Sequence, residues 1–429
     1  MANEFIRVAK DVFSNKNILI ISITTSMISI TDMGWRPFWG LYLTNELKAS
    51  IAAVGLLSTI ASSERLLFQL PGGLLADRFG RRKIIIYGTA LRFIPPLIYL
   101  WATHWTQVIP ALLVSGATSI YMPAFNAIIA DSIPEEERGA GYGAYRTITS
   151  SPQIFGPIIG GVLMDNFGYK EGVRIFLIVS LFTNLIVTYA RWKVLTETLD
   201  VDYNSTAKEK ALEKTNFTQK IRNTFDLPRT IWVMVTVAIL GSFGMRMVWD
   251  FMSIYAVEII GLSNTQLGIV QTTGGIIAAI LAMPGGMMSD RFGRKPMILV
   301  SRIVSPIMTA GVTIATDFTQ YFAIQFVNSI GNALGGGGMY AGGPAWNALI
   351  ADLVPREKRG TVMGTIGTVS GLVATPSSIV GGYLWQAISP QFPFYISLVL
   401  GILGAFVFAF GVKEPKRPER SIVKTPELS

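Results

Sequence analysis

Residues 71–82 read PGGLLADRFGRR, and residues 284–295 read PGGMMSDRFGRK. A mostly apolar chain thus spells one charged, glycine-bracketed phrase twice, 213 positions apart. A second phrase echoes in the same order: PAFNAIIADSIPEEERGAGYG (123–143) returns as PAWNALIADLVPREKRGTVMG (344–364), 221 positions later. Two shared phrases in one order mark an architectural repeat, one half used twice.

Half of the 429 residues are hydrophobic, 15% are charged, and the mean hydropathy is +0.46. Soluble chains carry about 25% charged residues, so the apolar excess must face lipid. Runs of about 20 apolar residues, enough to cross a bilayer, are read near 17–44, 51–76, 83–102, 107–131, 140–165 and 173–193. A second set follows near 229–259, 264–288, 296–315, 319–352, 360–386 and 392–412. The expected fold is an all-α membrane protein with twelve transmembrane helices in two six-helix halves, because a span in lipid must satisfy its own backbone hydrogen bonds. The halves are 1–193 and 229–412; a polar cytoplasmic linker, 194–228, joins them, and 413–429 is a tail. The Lys/Glu-rich middle of the linker favours a short solvated helix, and the glycosylation patterns NST and NFT within it would face the cytosol.

The net charge of +9 describes orientation rather than nucleic-acid binding. With the N-terminus inside, 27 of the 36 Lys/Arg fall on cytoplasmic tails and loops, and only Lys48, Lys170 and Arg174 lie outside. That asymmetry follows the positive-inside rule and places a multi-pass protein in the cell membrane with both termini cytoplasmic. MANEFIRVAKDVFSNK is expected to lie on the inner surface as an amphipathic helix. The first apolar run has no small-residue cleavage site and reads as an anchor. The absence of cysteine excludes disulfides and thiol chemistry. His104, the only histidine, makes no metal site alone. No cofactor signature and no nucleophile–base pair occur, so enzyme chemistry is not expected. The Gly335–Gly338 and Gly342-Gly343-Pro344 stretches lack the G-K-[ST] ending of a phosphate loop and should instead make the tenth helix pliable.

Six spans separate the two PGG phrases, so both lie on one face. Gly80 and Gly293 permit close turns. Asp77 and Asp290 end their helices, as do Asp131 and Asp352, and such acids need positive partners. Arg78, Arg81, Arg291 and Arg294 can supply them; the expected pairs are Arg81–Asp131 and Arg294–Asp352. Asp77 and Asp290 could meet the positive N-terminal ends of helices from the opposite half. Such a cluster holds one conformation and breaks in another, as a cytoplasmic gate requires. A plain positive-inside loop would account for the arginines but for neither the aspartates nor the duplication.

G-x-L-A-D-R-x-G-R-R, from Gly73 to Arg82 and repeated from Gly286, resembles motif A of the major facilitator superfamily, and the resemblance covers nearly the whole chain. It implies an alternating-access transporter latched on its cytoplasmic side by this loop. Gly156-Pro157-Ile158-Ile159-Gly160-Gly161 resembles the core of motif C, associated with twelve-helix drug:proton antiporters, although Pro152 stands where that motif has a glycine. The fourth-helix arginine of the group's motif B has no counterpart, since 107–131 contains no Lys or Arg. Independently of the family, Gly160 and Gly161 allow close helix packing, and Pro157 is expected to bend its helix.

Charges within the spans come next. Asp32 and Arg36 are four residues apart, on one helical face, and so are Arg246 and Asp250. Glu64, Arg65 and Arg146 are also mid-span. A charge at mid-bilayer costs about 2.5–3.5 kcal/mol on insertion scales, so these residues should face protein or a wet cavity. The resemblance implies that helices one, four, seven and ten line that cavity, flanked by two, five, eight and eleven. Asp32 is the first candidate for a reversibly protonated carboxylate, followed by Glu64 and Asp250. The arginines are fixed positive charges for anions or partners for the acids. The plain alternative makes Asp32–Arg36 and Arg246–Asp250 closed structural pairs. Arg92 and Arg302 can snorkel to the inner face. Trp35, Phe38, Trp39, Tyr121, Trp249 and Trp346 could wall a site for an amphiphile, or simply pack; Trp101 and Trp105 read as interface belt. Asn328, Asn332, Asn126 and Asn347 are weaker polar candidates.

These readings converge on a secondary active transporter with protons as coupling ion and a small-molecule substrate, either exporting drug-like compounds or taking up an organic anion. A monomer suffices. A membrane receptor that keeps the fold without turnover is the rival of another class.

Overall fold

The computed structural model describes residues 12–133, 138–198, 229–335, 343–354 and 356–414. The expected surface helix before residue 12, the linker helix, most of the tail and the glycines between 336 and 342 lie outside the described residues. All regular structure among the described residues is helical. The N-half comprises α1 (Lys16–Trp35), α2 (Trp39–Asn45), α3 (Ile51–Phe79), α4 (Arg81–Leu91), α5 (Ile94–Trp101), α6 (Val108–Thr118), α7 (Tyr121–Ser132), α8 (Arg138–Ser150) and α9 (Gly156–Val194). The C-half comprises α10 (Arg229–Trp249), α11 (Met252–Ile254), α12 (Asn264–Phe292), α13 (Arg294–Gly311), α14 (Phe318–Gly335), α15 (Pro344–Leu353), α16 (Arg356–Ala374), α17 (Ser377–Ala387) and α18 (Phe392–Gly411).

Nine helical runs among the described residues are long and apolar enough to cross a membrane, with a shorter apolar stretch at Ile51–Glu64. The difference from twelve expected spans has local causes. Gly141–Val194 is one apolar run of 54 residues, yet Gly168 breaks it with φ 74°. The expected spans 51–76 and 319–352 each include residues or side chains outside those described.

Two of the interruptions fall at proline, which lacks the backbone N–H of a helical ladder. Pro37 lies in the tight turn Arg36–Phe38 between α1 and α2. Pro152 opens a similar turn between α8 and α9. The bend expected from Pro157 has a different origin: Pro157 sits in the first turn of α9, where its missing N–H costs nothing, and the break precedes it. Asn15, Ser50 and Ser263 begin α1, α3 and α12 by accepting backbone N–H bonds on their side chains. Gly80 (φ 89°) and Gly293 (φ 98°) turn the chain between α3 and α4 and between α12 and α13, a conformation that side chains resist. These two turns define one end of the molecule, the loop face.

Three apolar cores show how the halves meet. One draws on both halves, with Phe38, Leu43 and Tyr99 packed with Phe251, Tyr255 and Phe394, and lies toward the end away from the loop face. The other two belong to one half each: Ile18, Ile85, Phe125 and Leu195 in the N-half, and Ile231, Trp346, Leu349 and Val412 in the C-half. Both of these lie toward the loop face. The halves are therefore joined at one end and cored separately at the other. The outward faces carry exposed Trp101, Ile314 and Phe410, a surface suited to lipid.

Two glycine pairs make this junction close. In α9, Gly160 lies against the backbone of Gly34 in its own half, and Gly161 against the backbone of Asn264 and Thr265 in the other. In α17, Gly381 lies against the backbone of Met247 in its own half, and Gly382 against Ile51 and Ala52 in the other. A Cβ at any of the four would collide with backbone, which cannot swing aside. Gly160→Val should therefore cost about 1–3 kcal/mol, seen as a lower midpoint in a detergent thermal-shift assay. Gly143→Val, with nothing within 4 Å of the added carbon, should leave the midpoint near wild type.

Candidate functional site

The loop face is built twice from the same contacts. Arg81 pairs with Asp131, and Arg294 Nε lies 2.9 Å from Asp352, so the two expected pairs are brought together, each within its own half. Asp290 is three-quarters exposed, with Arg294 Nη2 at 3.8 Å. The side chains of Arg65 and Asp77 lie outside the described residues, as do any contacts of Gly73; Gly286 has open space around its missing Cβ. Arg78 and Arg291 were expected to serve carboxylates. Instead each guanidinium lies over the ring of the next residue, Phe79 at 5.3 Å and Phe292 at 5.6 Å. Both are at exposed ends where a planar cation stacks readily on an aromatic face.

Sequence reading missed a further pair of acids here. The Glu197 carboxylate accepts the backbone N–H of Arg81 (3.3 Å) and Arg82 (3.0 Å). Glu414 accepts those of Arg294 (2.7 Å) and Lys295 (3.3 Å). Each acid thus caps the helix that starts at the arginine turn, where unpaired N–H groups and the helix dipole favour negative charge. Arg82 and Lys295 return the contact, donating to the carbonyls of Trp192 and Ala409 at the ends of α9 and α18. The signal was available: both acids stand 217 residues apart, just past an apolar span.

In the middle of the N-half, Asp32 accepts a 3.0 Å bond from Arg92 Nη2, both side chains about three-quarters buried. The Asp32–Arg36 pair is therefore not formed; Arg36 is exposed beside the tight turn that follows α1. Arg92 does not snorkel, because Asp32 gives it a partner at depth. The Tyr121 hydroxyl interacts with both Arg92 and Arg191. Arg191, assigned to the inner loops by sequence, is 1% exposed. It donates to the hydroxyls of Thr24 (3.0 Å), Thr89 (2.8 Å) and Thr25 (3.4 Å) and lies over Phe125. Glu64 is buried against Gly116 of α6, where a Cβ would crowd its side chain. Arg146 is exposed on α8.

On the C-half side, Arg246 Nη1 donates to Ser62 of α3 (2.7 Å), crossing between the halves. Asp250 accepts from Ser378 (2.9 Å) and from Ser58. The direct Arg246–Asp250 ion pair of the plain alternative is not formed; instead serines of α3 and α17 reach the two charges. Arg302 is 2% exposed, stacked 4.7 Å over Trp346 and 5.8 Å over Phe408, with Nε and Nη2 lacking hydrogen-bond partners. It too fails to snorkel, since α13 turns that side chain into the C-half core. Phe38 and Trp346 belong to cores, and Tyr121 is buried, so these three are packing residues rather than a cavity wall. Trp35 and Trp39 cluster with Tyr99, the Trp39–Tyr99 centroids 4.9 Å apart; Trp249 is exposed. Asn328 is buried in a ladder along α14, donating to Gln325 and accepting from Asn332. His104 begins the short turn at Trp105, and no group of metal-binding side chains occurs among the described residues.

The site is thus a helical frame with duplicated arginine turns, halves joined at one end and an Asp32–Arg92 ion pair at mid-depth, and the comparisons identify this frame as that of a membrane transporter. The family model described as Major Facilitator Superfamily matches residues 21–263 and 234–427, and the chain belongs to that superfamily. An uncharacterised transporter of this type from Methanocaldococcus jannaschii is 22% identical over 92% of this chain and 95% of its own length. The multi-drug resistance efflux pump PmrA of Streptococcus pneumoniae is 23% identical over 78% of this chain and 81% of its own. Among solved structures, a D-xylose-proton symporter superposes with a TM-score of 0.70 at 16% identity, covering 93% of this chain and 98% of that one.

Two stability experiments probe these charges. Asp32→Asn and Arg92→Gln should each destabilise, and the double variant should cost less than their sum, with a coupling of about 0.5–3 kcal/mol in a thermal cycle. Additivity would mean the pair carries no interaction. Arg302→Met removes a buried cation without a countercharge while keeping side-chain length. The lost ring contact is worth about 2 kcal/mol, less than the several kcal/mol needed to bury an ion, so the melting midpoint should rise.

Proposed function

We propose that this chain is a secondary active transporter working by alternating access, with twelve membrane crossings in two six-helix halves. Residues 1–193 and 229–412 form the halves, 194–228 the cytoplasmic linker and 413–429 the tail. The loop face is cytoplasmic and the protein works as a monomer in the cell membrane. The observation that carries this reading is the arrangement of the cores: one shared core at the far end, one per half at the loop face. Halves joined at one end only can rock about a mid-membrane site, and this arrangement is the one open to the cytoplasm. The duplicated turn, with Gly73, Asp77 and Arg78 and their repeats Gly286, Asp290 and Arg291, is the cytoplasmic gate that closes in the opposite state. A receptor without turnover has no need of such a gate.

Asp32 is the proton-binding carboxylate in this reading. While ionised it holds Arg92; once protonated it loses the charge that Arg92 answers, and the guanidinium is released to the cavity. A cationic amphiphile and the proton compete for this one carboxylate, which couples their movements. Glu64 and Asp250 are the further acids, and Arg36, Arg65, Arg146 and Arg246 with Trp35, Trp249 and Asn328 complete the candidate set. The substrate is a drug-like or amphiphilic compound and the direction is export, supported by the name of the pneumococcal relative and by the motif C likeness. Arg36 and Arg146, both exposed, favour a second reading, proton-coupled uptake of an organic anion.

Proteoliposomes with an imposed pH gradient decide between them. Export by proton exchange predicts movement of an amphiphilic dye against the proton flow, falling about tenfold or more in Asp32→Asn, since one proton-transfer step typically contributes that much or more. Inward movement of an organic anion together with protons would select the second reading. Flux indifferent to the gradient would remove proton coupling from both.

A further inference from the structure

At the end away from the loop face, α12 begins against α9 of the other half. The first four backbone N–H groups of a helix have no partner within it, and here all are met by side chains. Ser263 Oγ accepts from Gln266 N (3.1 Å), and Gln266 Oε1 accepts from Ser263 N (2.9 Å). The other two cross the seam: Asp165 Oδ1 accepts from Asn264 N (3.0 Å), and Asp165 Oδ2 from Thr265 N (2.8 Å). Asn264 Nδ2 adds a third bond to Oδ1 (2.9 Å). That amide is oriented by Tyr169, whose hydroxyl donates to Asn264 Oδ1 (2.9 Å). One carboxylate of the N-half thus caps a helix of the C-half with three charge-assisted bonds, on top of the glycine contact at Gly161.

The repeat makes the contact one-sided. At the other seam, α17 meets the start of α3, with Gly382 against Ile51 and Ala52. The residue 221 positions after Asp165 is Gln386. Among the described residues no side chain accepts from the N–H of Ile51 or Ala52; only Ser50 caps that helix, at Ala53. Glu258 also crosses this end, reaching Asn45 (3.0 Å) and Thr44 (3.3 Å), but it binds side chains at the end of α2 rather than the backbone N–H groups of a helix start.

We infer that Asp165 is the clasp of the transport cycle, a positioning residue that holds the far end shut while the loop face is open. This rests on the alternating-access reading. For the far end to open, α12 must leave α9, and the N–H groups of Asn264 and Thr265 must exchange a carboxylate for water. The clasp weights the resting equilibrium toward the state in which the halves touch at Gly161. The seam without a carboxylate yields at less cost.

The chain has no cysteine, so paired spin labels can be placed without background. Lys170→Cys with Thr319→Cys reports the far end across the halves, and Lys193→Cys with Lys413→Cys the loop face, read by pulsed dipolar distances in nanodiscs. Asp165→Ala should raise the ratio of long to short far-end distances about tenfold, the loss expected for a charge-assisted bond of about 1.4 kcal/mol, and shift the loop-face pair in the opposite sense. Asp165→Asn, which keeps an acceptor but no charge, and Tyr169→Phe, which frees the Asn264 amide, should give smaller shifts in the same direction. Glu258→Gln should give the least. Gly161→Leu serves as a wedge at the same seam. If the wedge moves both label pairs and Asp165→Ala moves neither, the clasp is overturned and alternating access stands. If neither substitution moves either pair, both are overturned. A far-end shift in Asp165→Ala without a change at the loop face would mean local fraying and would also overturn the clasp.

Discussion

The structure depends on backbone meeting backbone at two glycine pairs. Gly160 and Gly161 point about 100° apart around α9, one toward α1 of the same half and the other toward α12 of the other half. Gly381 and Gly382 repeat this on α17. Each pair lets one helix serve two neighbours, so the element that holds a half together also holds the halves to each other. The junction is therefore both close and narrow. Everything else about the molecule's shape follows from where these pairs lie: toward the end away from the arginine turns, with separate cores left behind.

Charge inside an apolar protein is handled by a different rule in each half, although the halves share an ancestor. In the N-half, Arg191 reaches from α9 into a cage of threonine hydroxyls over Phe125. Counting by the repeat, Phe125 corresponds to Trp346 (221 later), Thr89 to Arg302 (213 later) and Arg191 to Phe408 (217 later). In the C-half the guanidinium thus comes from the helix that supplies a threonine in the N-half, and an aromatic ring stands where the arginine was. The place is kept for a stacked cation while its source helix has changed. Asp32 and Arg92 have no such counterpart: the residues 213 positions later are Met245 and Ser305. Among the described residues, only the N-half therefore holds an ion pair at mid-depth, an asymmetry on a repeated frame.

The all-helical class, the loop residues and the pairs Arg81–Asp131 and Arg294–Asp352 were legible because each is local or repeated. A phrase spelled twice, with an acid echoed at a constant offset, identifies residues that must do the same job. The partners of mid-membrane charges were not legible. Spacing of four residues suggested Asp32–Arg36 and Arg246–Asp250, but a shared helical face only permits contact. The partners that the structure gives these charges, Arg92, Ser62 and Ser378, came from other helices. Arg191 was misplaced for a similar reason, since its position near the end of a span says nothing of which way it points.

Sequence alone determined that this chain lives in a bilayer, that its two parts repeat one pattern, and that both duplicated turns lie at one end, because composition, periodicity and repetition act residue by residue along the chain. Tertiary structure alone decided which charges answer each other, which aromatic residues are core, and that the halves join at one end through glycine pairs and the Asp165 contact. Those outcomes depend on distances between helices far apart in sequence, and the free energy of a buried charge or a backbone contact is set by what lies within a few ångströms, wherever in the chain it comes from.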